Sequence, residues 1–264
     1  MRNESSFLQA HARNAVNLPF AMLFQLRQEL PVPGTAILLV ADDIETSSQL
    51  LQSWNYPVLG AIVWNKTLEQ ELAQSQCIEH GPASNFLWRP NDLLARFLED
   101  ELSKFETTRP LRALDIACGS GRDSVYLAHK GLQVSAFDWN EDALTRGRLL
   151  AERMQVSVNW QLADLESDTF AFDAQSFDLI HVARYLHRPM LPRLKSVLKP
   201  NGLLFYETFA VGAEKFGSPR NPKYLLNPGE LAQVFDGMTT VFDAIECLSD
   251  GRPVQRFIAR QALS

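Results

Sequence analysis

The sequence predicts an α/β protein: an open, doubly wound sheet in the C-terminal part, preceded by a smaller α/β segment. Three observations carry this. From Leu111 onward, short apolar runs alternate with amphipathic stretches, giving seven strands with helices between them. A strand, a glycine-containing turn and a helix follow one another directly over 114–128. A second, isolated strand–helix–strand pattern fills 36–64. The 264 residues are 46% hydrophobic and 21% charged, near the globular average, which excludes a disordered or fibrous chain.

Taken in order, Phe20 to Leu30 carries a helical pattern that ends in the turn Pro31-Val32-Pro33-Gly34. The longest apolar run, Ala36 to Ala41, has the length of a buried strand and falls far short of the roughly 20 residues that span a bilayer. A polar loop, Asp42 to Thr46, leads to a helix with Leu50, Leu51 and Trp54 on one face, and Val58 to Trp64 reads as the next strand. Residues 77–90 read as a connector. Pro90 then opens a helix whose Leu93, Leu94, Phe97, Leu98, Leu102 and Phe105 share a face. Strands follow at 111–117, 134–137, 156–161, 177–182 and 203–207, with two more near 239–247 and 253–260. Helices are expected at 122–130, 141–154 with Asn140 as N-cap, 190–198 and 228–236. The expected division is a small α/β domain over 1–76, a linker with its helix over 77–109, and the sheet domain over 110–264.

Charge and cysteine content exclude several functions. The net charge is −6, with four Lys/Arg against eight Asp/Glu in residues 1–85, so neither part is a basic footprint for DNA. One local exception is 184–195, where Arg184, Arg188, Arg193 and Lys195 surround Tyr185 and His187. Cys77, Cys118 and Cys247 are widely spaced, without a CxxC pair or a tight His/Cys cluster. That gives no disulfide framework and no metal site, and it fits a reducing, cytoplasmic setting. The N-terminus lacks a basic segment followed by an apolar one, so neither a secretory leader nor a membrane partner is expected.

The chemistry concentrates in LDIACGSGRDSVYLA, residues 114–128. In open α/β sheets, ligands bind at the carboxyl ends of the strands where the strand order reverses. Here a strand ends at Asp115, the turn runs through Ala117, Cys118, Gly119, Ser120 and Gly121, and a helix begins near Arg122. The string lacks the G-x-G-x-x-G spacing that seats a pyrophosphate. Its acid precedes the loop, where it could meet an ammonium group. A second acid, Asp138, ends the next strand beside Trp139, placed to accept both hydroxyls of a ribose. A third, Asp164 with Leu165, can accept from an adenine amino group. Three acids on three successive strand ends suit a nucleoside carrying an ammonium group, which describes S-adenosylmethionine better than a dinucleotide.

Residues 110–260 thus resemble the class I S-adenosylmethionine-dependent methyltransferases, with their seven-stranded Rossmann-like sheet. Asp115 to Gly121 is similar to that family's first motif, Asp138 to its ribose acid, and Asp164-Leu165 to its adenine motif. Ser176-Phe177-Asp178-Leu179-Ile180 resembles its fourth strand, and Leu198-Lys199-Pro200-Asn201-Gly202-Leu203 its turn before strand five. GSGRDSVYLA followed by VSAFDWN is similar to the tellurite-resistance-type and thiopurine-type branch, which methylates small molecules. The resemblance implies cofactor contacts from Asp115 through Gly121, Asp138, Trp139, Asp164, Leu165 and Ala183. It also places the loop after the fourth strand near the transferring methyl, with Arg184, Tyr185 and His187 as candidate catalytic residues. Histidine as a residue type suits general-base work near neutral pH, which makes His187 the candidate base. His181, inside the strand, reads as a satisfied core histidine, and Cys118 as a small residue packed beneath the cofactor. The Pro/Gly/Asn-rich stretch 216–231 reads as a lid, with Phe216, Arg220 and Tyr224 lining the acceptor site. Two departures stand out. Ala117 replaces a family glycine and is expected to tolerate this with a negative φ. Asn201 replaces another, and asparagine accepts left-handed geometry.

The first residues resemble a different family. In RNESSFLQAHARNAVNLPF, Arg2, Phe7, His11, Ala15, Asn17, Leu18 and Pro19 are similar to the opening stretch of rhodanese domains. AILLVADD then corresponds to the rhodanese strand that leads to the catalytic cysteine, and that cysteine falls on Ala41. Persulfide chemistry needs a low-pKa thiolate in a cationic loop; this loop, DDIETS, is acidic and has no thiol. The resemblance implies a shortened, degenerate rhodanese-like domain that leans on the enzyme or a second subunit for its core, for instance in a homodimer through this domain. The expected activity is methyl transfer from S-adenosylmethionine to a small-molecule acceptor such as a thiol or chalcogen oxyanion. The alternatives are a tRNA or protein methyltransferase using the basic stretch 184–195, and a cofactor-sensing regulator or scaffold.

Overall fold

The computed structural model describes residues 1–83, 85–167 and 171–263. Ser84, within the expected linker, and the terminal Ser264 lie outside them. The chain divides into two compact units, Met1–Arg89 and Pro90–Ser264.

The first unit contains α1 (Glu4–Gln9), β1 (His11–Ala12), β2 (Ile37–Val40), α2 (Ile44–Ser53), β3 (Val58–Ile62), α3 (Lys66–Gln74) and β4 (Ile78–Glu79). β2 and β3 pair in parallel, and β1 pairs antiparallel with β4. Phe7, Leu18, Leu23, Leu26, Leu30, Leu39, Leu51 and Tyr56 are buried. The helix expected over 20–30 is instead two 3-10 turns, Phe20–Met22 and Arg27–Glu29. Pro19 and Pro31 bound this stretch, and neither turn has a side-chain cap, so only its spacing of buried leucines survives. α3 was not foreseen, although Asn65 caps it by accepting from the Leu68 N–H. β4 lies in what the sequence presented as connector.

The second unit opens with α4 (Asp92–Leu102), capped by the Asn91 side chain. It continues through β5 (Arg112–Ile116), α5 (Arg122–His129), β6 (Gln133–Asp138), α6 (Glu141–Arg153), β7 (Val158–Leu162) and β8 (Phe177–Ala183). Then come α7 (Leu191–Val197), β9 (Leu198–Phe209), α8 (Glu230–Val234), β10 (Thr239–Cys247) and β11 (Pro253–Arg260). The seven strands form one sheet in the order β10-β11-β9-β8-β5-β6-β7, in which β11 runs against both neighbours. The order reverses between β5 and β8. That reversal puts a crevice at their carboxyl ends, as the sequence reading required.

Both faces of the sheet are covered. On one, Leu93, Leu94 and Leu98 of α4 and Leu127 of α5 pack on Ala113, Leu179, Leu203, Phe205 and Ile258. On the other, Leu191, Leu194 and Val197 of α7, with Leu231 and Phe235, pack on Leu114, Ile180, Val182, Leu204 and Phe257. Buried on both sides, the inner strands read as near-continuous apolar runs. Polar residues therefore stand out where they interrupt those runs at the carboxyl ends.

Candidate active site

The loop between β5 and α5 is built from left-handed backbone. Ala117, Gly119 and Gly121 have φ values of 55°, 55° and 72°. The expected negative φ at Ala117 is therefore wrong. Closing the turn forces the left-handed region even on a residue with a Cβ, at a cost of about 1–2 kcal/mol. Asn201 (φ 63°) adopts the left-handed geometry its side chain tolerates. A Cβ on Gly121 would stand 2.3 Å from the Trp160 ring, so glycine there lets the start of α5 approach β7.

Asp138 closes the loop from β6. Its Oδ2 accepts from the Gly119 N–H (2.8 Å) and its Oδ1 from the Asn140 N–H (2.9 Å). Beside it opens a cavity of about 520 Å³, lined by Ala117, Asp138, Trp139, Ala163, Asp164, Leu165, Glu166, Arg184 and Tyr185. The structure thus brings together Asp138, Asp164 and two of the three candidate catalytic residues, Arg184 and Tyr185. Trp139 is 75% exposed, leaving an aromatic face free to cover a base. The Tyr185 hydroxyl is buried and has no hydrogen-bond partner among the described residues, an orphan that a bound ligand would satisfy. Burial and the nearby Glu166 and Asp164 carboxylates push this phenol well above its ordinary pKa, so it is a donor. His187 lies outside the cavity wall. Its Nδ1 is 3.6 Å from Oε2 of Glu166, which does line the wall. Glu166 was missed in the sequence, although it stands two residues past Asp164 in the same turn.

The remaining predicted residues are not part of the cavity lining. Asp115 is buried and accepts from the Ser124 hydroxyl. Burial pushes its carboxyl up to about 7, helped by Asp123 and Asp138 and opposed by His181 and Ser124. Burial also raises the Cys118 thiol, assisted by Asp115 and Asp138, so it stays protonated and acts as a packed residue rather than a nucleophile. Ala183 ends β8 opposite Glu207 of β9.

A buried polar network beneath the site was invisible in the sequence. His181 Nε2 meets Asp123 Oδ2 at 3.0 Å, while its Nδ1 has no partner among the described residues. His181 is thus an ion-paired group rather than a fully satisfied core histidine. Burial alone would lower its pKa, but Asp123, Asp115 and Glu207 raise it overall. Asn91, the cap of α4, donates its backbone N–H to Asp123 (2.6 Å) and its side-chain amide to Glu207 (2.8 Å). Glu207 also accepts from Arg256 Nε (2.5 Å).

Within the basic stretch 184–195, Arg193 is exposed and the other three cations have partners inside the chain. Arg184 pairs with Glu207, Arg188 with Glu230, and Lys195 donates to the Asp236 carbonyl. Arg188 also donates to the carbonyls of Lys223 and Leu225, and Arg252 to that of Ser218, so both pin the stretch read as a lid. Among the described residues there is no His/Cys/Asp/Glu cluster fit for a metal. No helix among the described residues is long and apolar enough to cross a membrane.

Comparison with known proteins agrees with this geometry. Residues 113–202 match the family model described as a methyltransferase domain. An uncharacterized Schizosaccharomyces pombe protein, UNK4.09, is 28% identical over 99% of this chain and 92% of its own length. The ubiquinone biosynthesis O-methyltransferase of Coxiella burnetii is 28% identical over 53% of this chain, which spans 64% of that enzyme. Among solved structures, an S-adenosylmethionine-dependent methyltransferase of Methanosarcina mazei shares the fold, with a TM-score of 0.51, 18% identity and coverage of 64% of this chain and 98% of that one. The matched domain and its methyltransferase relatives make this chain an S-adenosylmethionine-dependent methyltransferase, and S-adenosylmethionine its cofactor.

Proposed function

We propose that this methyltransferase acts in the cytoplasm on a small-molecule acceptor, a thiol, chalcogen oxyanion or similar nucleophile, as its likeness to the tellurite-resistance and thiopurine branch implies. The observation that carries this reading is the internal use of its cations. Of the cations that would face a tRNA, Arg188 is paired with Glu230, Lys195 donates to the Asp236 carbonyl, and Arg184 lines the cavity beside Glu207, which leaves Arg193 on the outer surface.

The bound cofactor supplies a methyl group on a sulfonium sulfur, whose displacement releases a neutral thioether. The protein's part is then alignment and exclusion of water. Asp138, Trp139, Asp164 and Leu165 suit the adenosine, and Arg184 and Tyr185 form the acceptor end. A thiolate or oxyanion needs no base. A protonated acceptor would need one, and His187 leaning on Glu166 is the imidazole beside this cavity.

The N-terminal unit is proposed as a degenerate rhodanese-like domain. Ala41, at the end of β2, is completely buried, and the acidic Asp43 caps α2 where a persulfide loop would hold an anion. Leu38 and Leu59, on the parallel pair β2–β3, are 80% and 73% exposed. Parallel strands are ordinarily covered, so a homodimer through this pair is proposed; Leu38→Glu should convert dimer to monomer in sedimentation, and a monomeric wild type overturns it.

The function is tested by a labelled-methyl screen over small thiols, chalcogen oxyanions and fractionated lysate. Transfer to a small molecule is expected. Label in RNA or protein would establish the macromolecular alternative, and cofactor binding with no transfer would favour a regulator.

A further inference from the structure

Among the described residues that line the cavity, Arg184 is the sole cation, and Asp138, Asp164 and Glu166 share that lining. Its backbone is left-handed, with φ 58°, a region that disfavours any residue with a Cβ. Glu207 holds it there twice: the Arg184 N–H donates to the Glu207 carbonyl (2.8 Å), and Nη2 lies 2.9 Å from Oε1. Glu207 itself is fully buried and fixed by Asn91 and Arg256, so its carboxylate is a rigid anchor. The Arg184 guanidinium lies 4.8 Å from the centre of the Phe209 ring, and Arg252 lies 4.6 Å from the same ring.

Burial lowers the pKa of Arg184 below its ordinary value; Glu207 and Asp250 oppose this, and Arg252 and Arg256 add to it. A guanidinium engaged through one nitrogen keeps further donors in its fork geometry, which matches a carboxylate bidentately. We infer that Arg184, set in place by Glu207, is a carboxylate receptor at the acceptor end of the cavity. The inference rests on the methyltransferase reading above. The carboxylate comes either from the amino-acid tail of the methyl donor or from the acceptor. Glu207 acts through Arg184 and is a positioning residue.

Calorimetry with benzoate, 5′-methylthioadenosine and S-adenosylhomocysteine separates the possibilities. Wild-type protein is expected to bind benzoate, and Arg184→Met to bind it about tenfold more weakly, with Arg184→Lys between them. Glu207→Gln should weaken benzoate severalfold while leaving 5′-methylthioadenosine affinity unchanged, a split that a purely structural role would not give. If S-adenosylhomocysteine displaces benzoate and loses its advantage over 5′-methylthioadenosine in Arg184→Met, the donor's tail is the source. If benzoate binds alongside S-adenosylhomocysteine, the acceptor is the source. Absence of benzoate binding by the wild type, or equal binding by Arg184→Met, overturns the receptor. Benzoate is also titrated without nucleoside, so a failure of nucleoside binding strikes the proposed function and still leaves Arg184 tested.

Discussion

After β5 the chain turns through Ala117–Gly121 into α5, and after β2 it turns through Ala41–Asp43 into α2. Each turn leaves the carboxyl end of a parallel strand and enters a helix, the place where α/β proteins bind ligands. The two are filled differently. The first uses three left-handed residues, has glycine at the helix start with no side-chain cap, and lies against a cavity. In the second, Asp43 accepts from both the backbone N–H (3.0 Å) and the hydroxyl (2.6 Å) of Thr46, so the helix start is satisfied by the protein itself. The same supersecondary unit is a site in one case and a closed corner in the other, and the difference lies in who satisfies the exposed backbone donors.

The largest expected effect concerns the acid that precedes the open turn. Asp115 has a folded-state pKa of about 7, raised chiefly by burial from its ordinary value of 3.8. A carboxyl with a raised folded pKa holds its proton in the native state after the unfolded chain has released it. Its contribution is intact below the unfolded value and is lost as pH rises toward 7. At about 1.4 kcal/mol per pKa unit, this removes up to about 4 kcal/mol between roughly pH 4 and 7. Urea titrations across that range should show wild type losing stability relative to Asp115→Asn by this order. Parallel curves would show that the buried acid carries no such burden.

Second is the acid that closes the turn. Asp138→Ala removes the acceptor for the Gly119 N–H and the proposed ribose contact together. Loss of about 3 kcal/mol, roughly a hundredfold in S-adenosylhomocysteine affinity by calorimetry, is expected. Unchanged affinity would remove the ribose assignment and leave the two turns less different than they look.

Much of this contrast was legible in the sequence. The seven strands and the acids at 115, 138 and 164 could be read because each is set by local pattern or spacing. The sign of φ at Ala117 could not be read, since the closure of the loop decides it against the preference of alanine. Nor could the anchoring of Arg184. Asn91 reaches Asp123 across 32 positions and Glu207 across 116, and no periodicity encodes such contacts. α3 was overlooked although its cap was in plain view, and the proline-bounded stretch 20–30 kept a helical spacing without the hydrogen bonds of an α-helix.

Third, the glycines of the open turn should differ from one another. Both Gly119 and Gly121 are left-handed, but a Cβ meets nothing within 4 Å at Gly119 and the Trp160 ring at 2.3 Å at Gly121. Gly119→Ala should cost about 1 kcal/mol, the backbone preference alone, and Gly121→Ala about 3 kcal/mol with the overpacking added. Denaturant midpoints measure both. Equal costs would mean that the Trp160 ring moves aside freely, and that glycine at 121 serves the backbone rather than the packing of α5 on β7.

The smallest expected effect is none at all, at the closed turn. Ala41→Cys restores the thiol that a sulfurtransferase would carry, yet thiosulfate sulfurtransferase activity should remain absent. Ala41 is completely buried, and burial raises a thiol's pKa. Asp42 and Asp43 follow directly, so the local field disfavours a thiolate further. The donors at the start of α2 that could hold a persulfide already have the Asp43 carboxylate, whose pKa the Thr46 hydroxyl and N–H hold below its usual value. Robust turnover by this single substitution would show that the corner opens on its own. The contrast between the two turns would then reduce to one missing sulfur atom rather than a difference in how their backbones are satisfied.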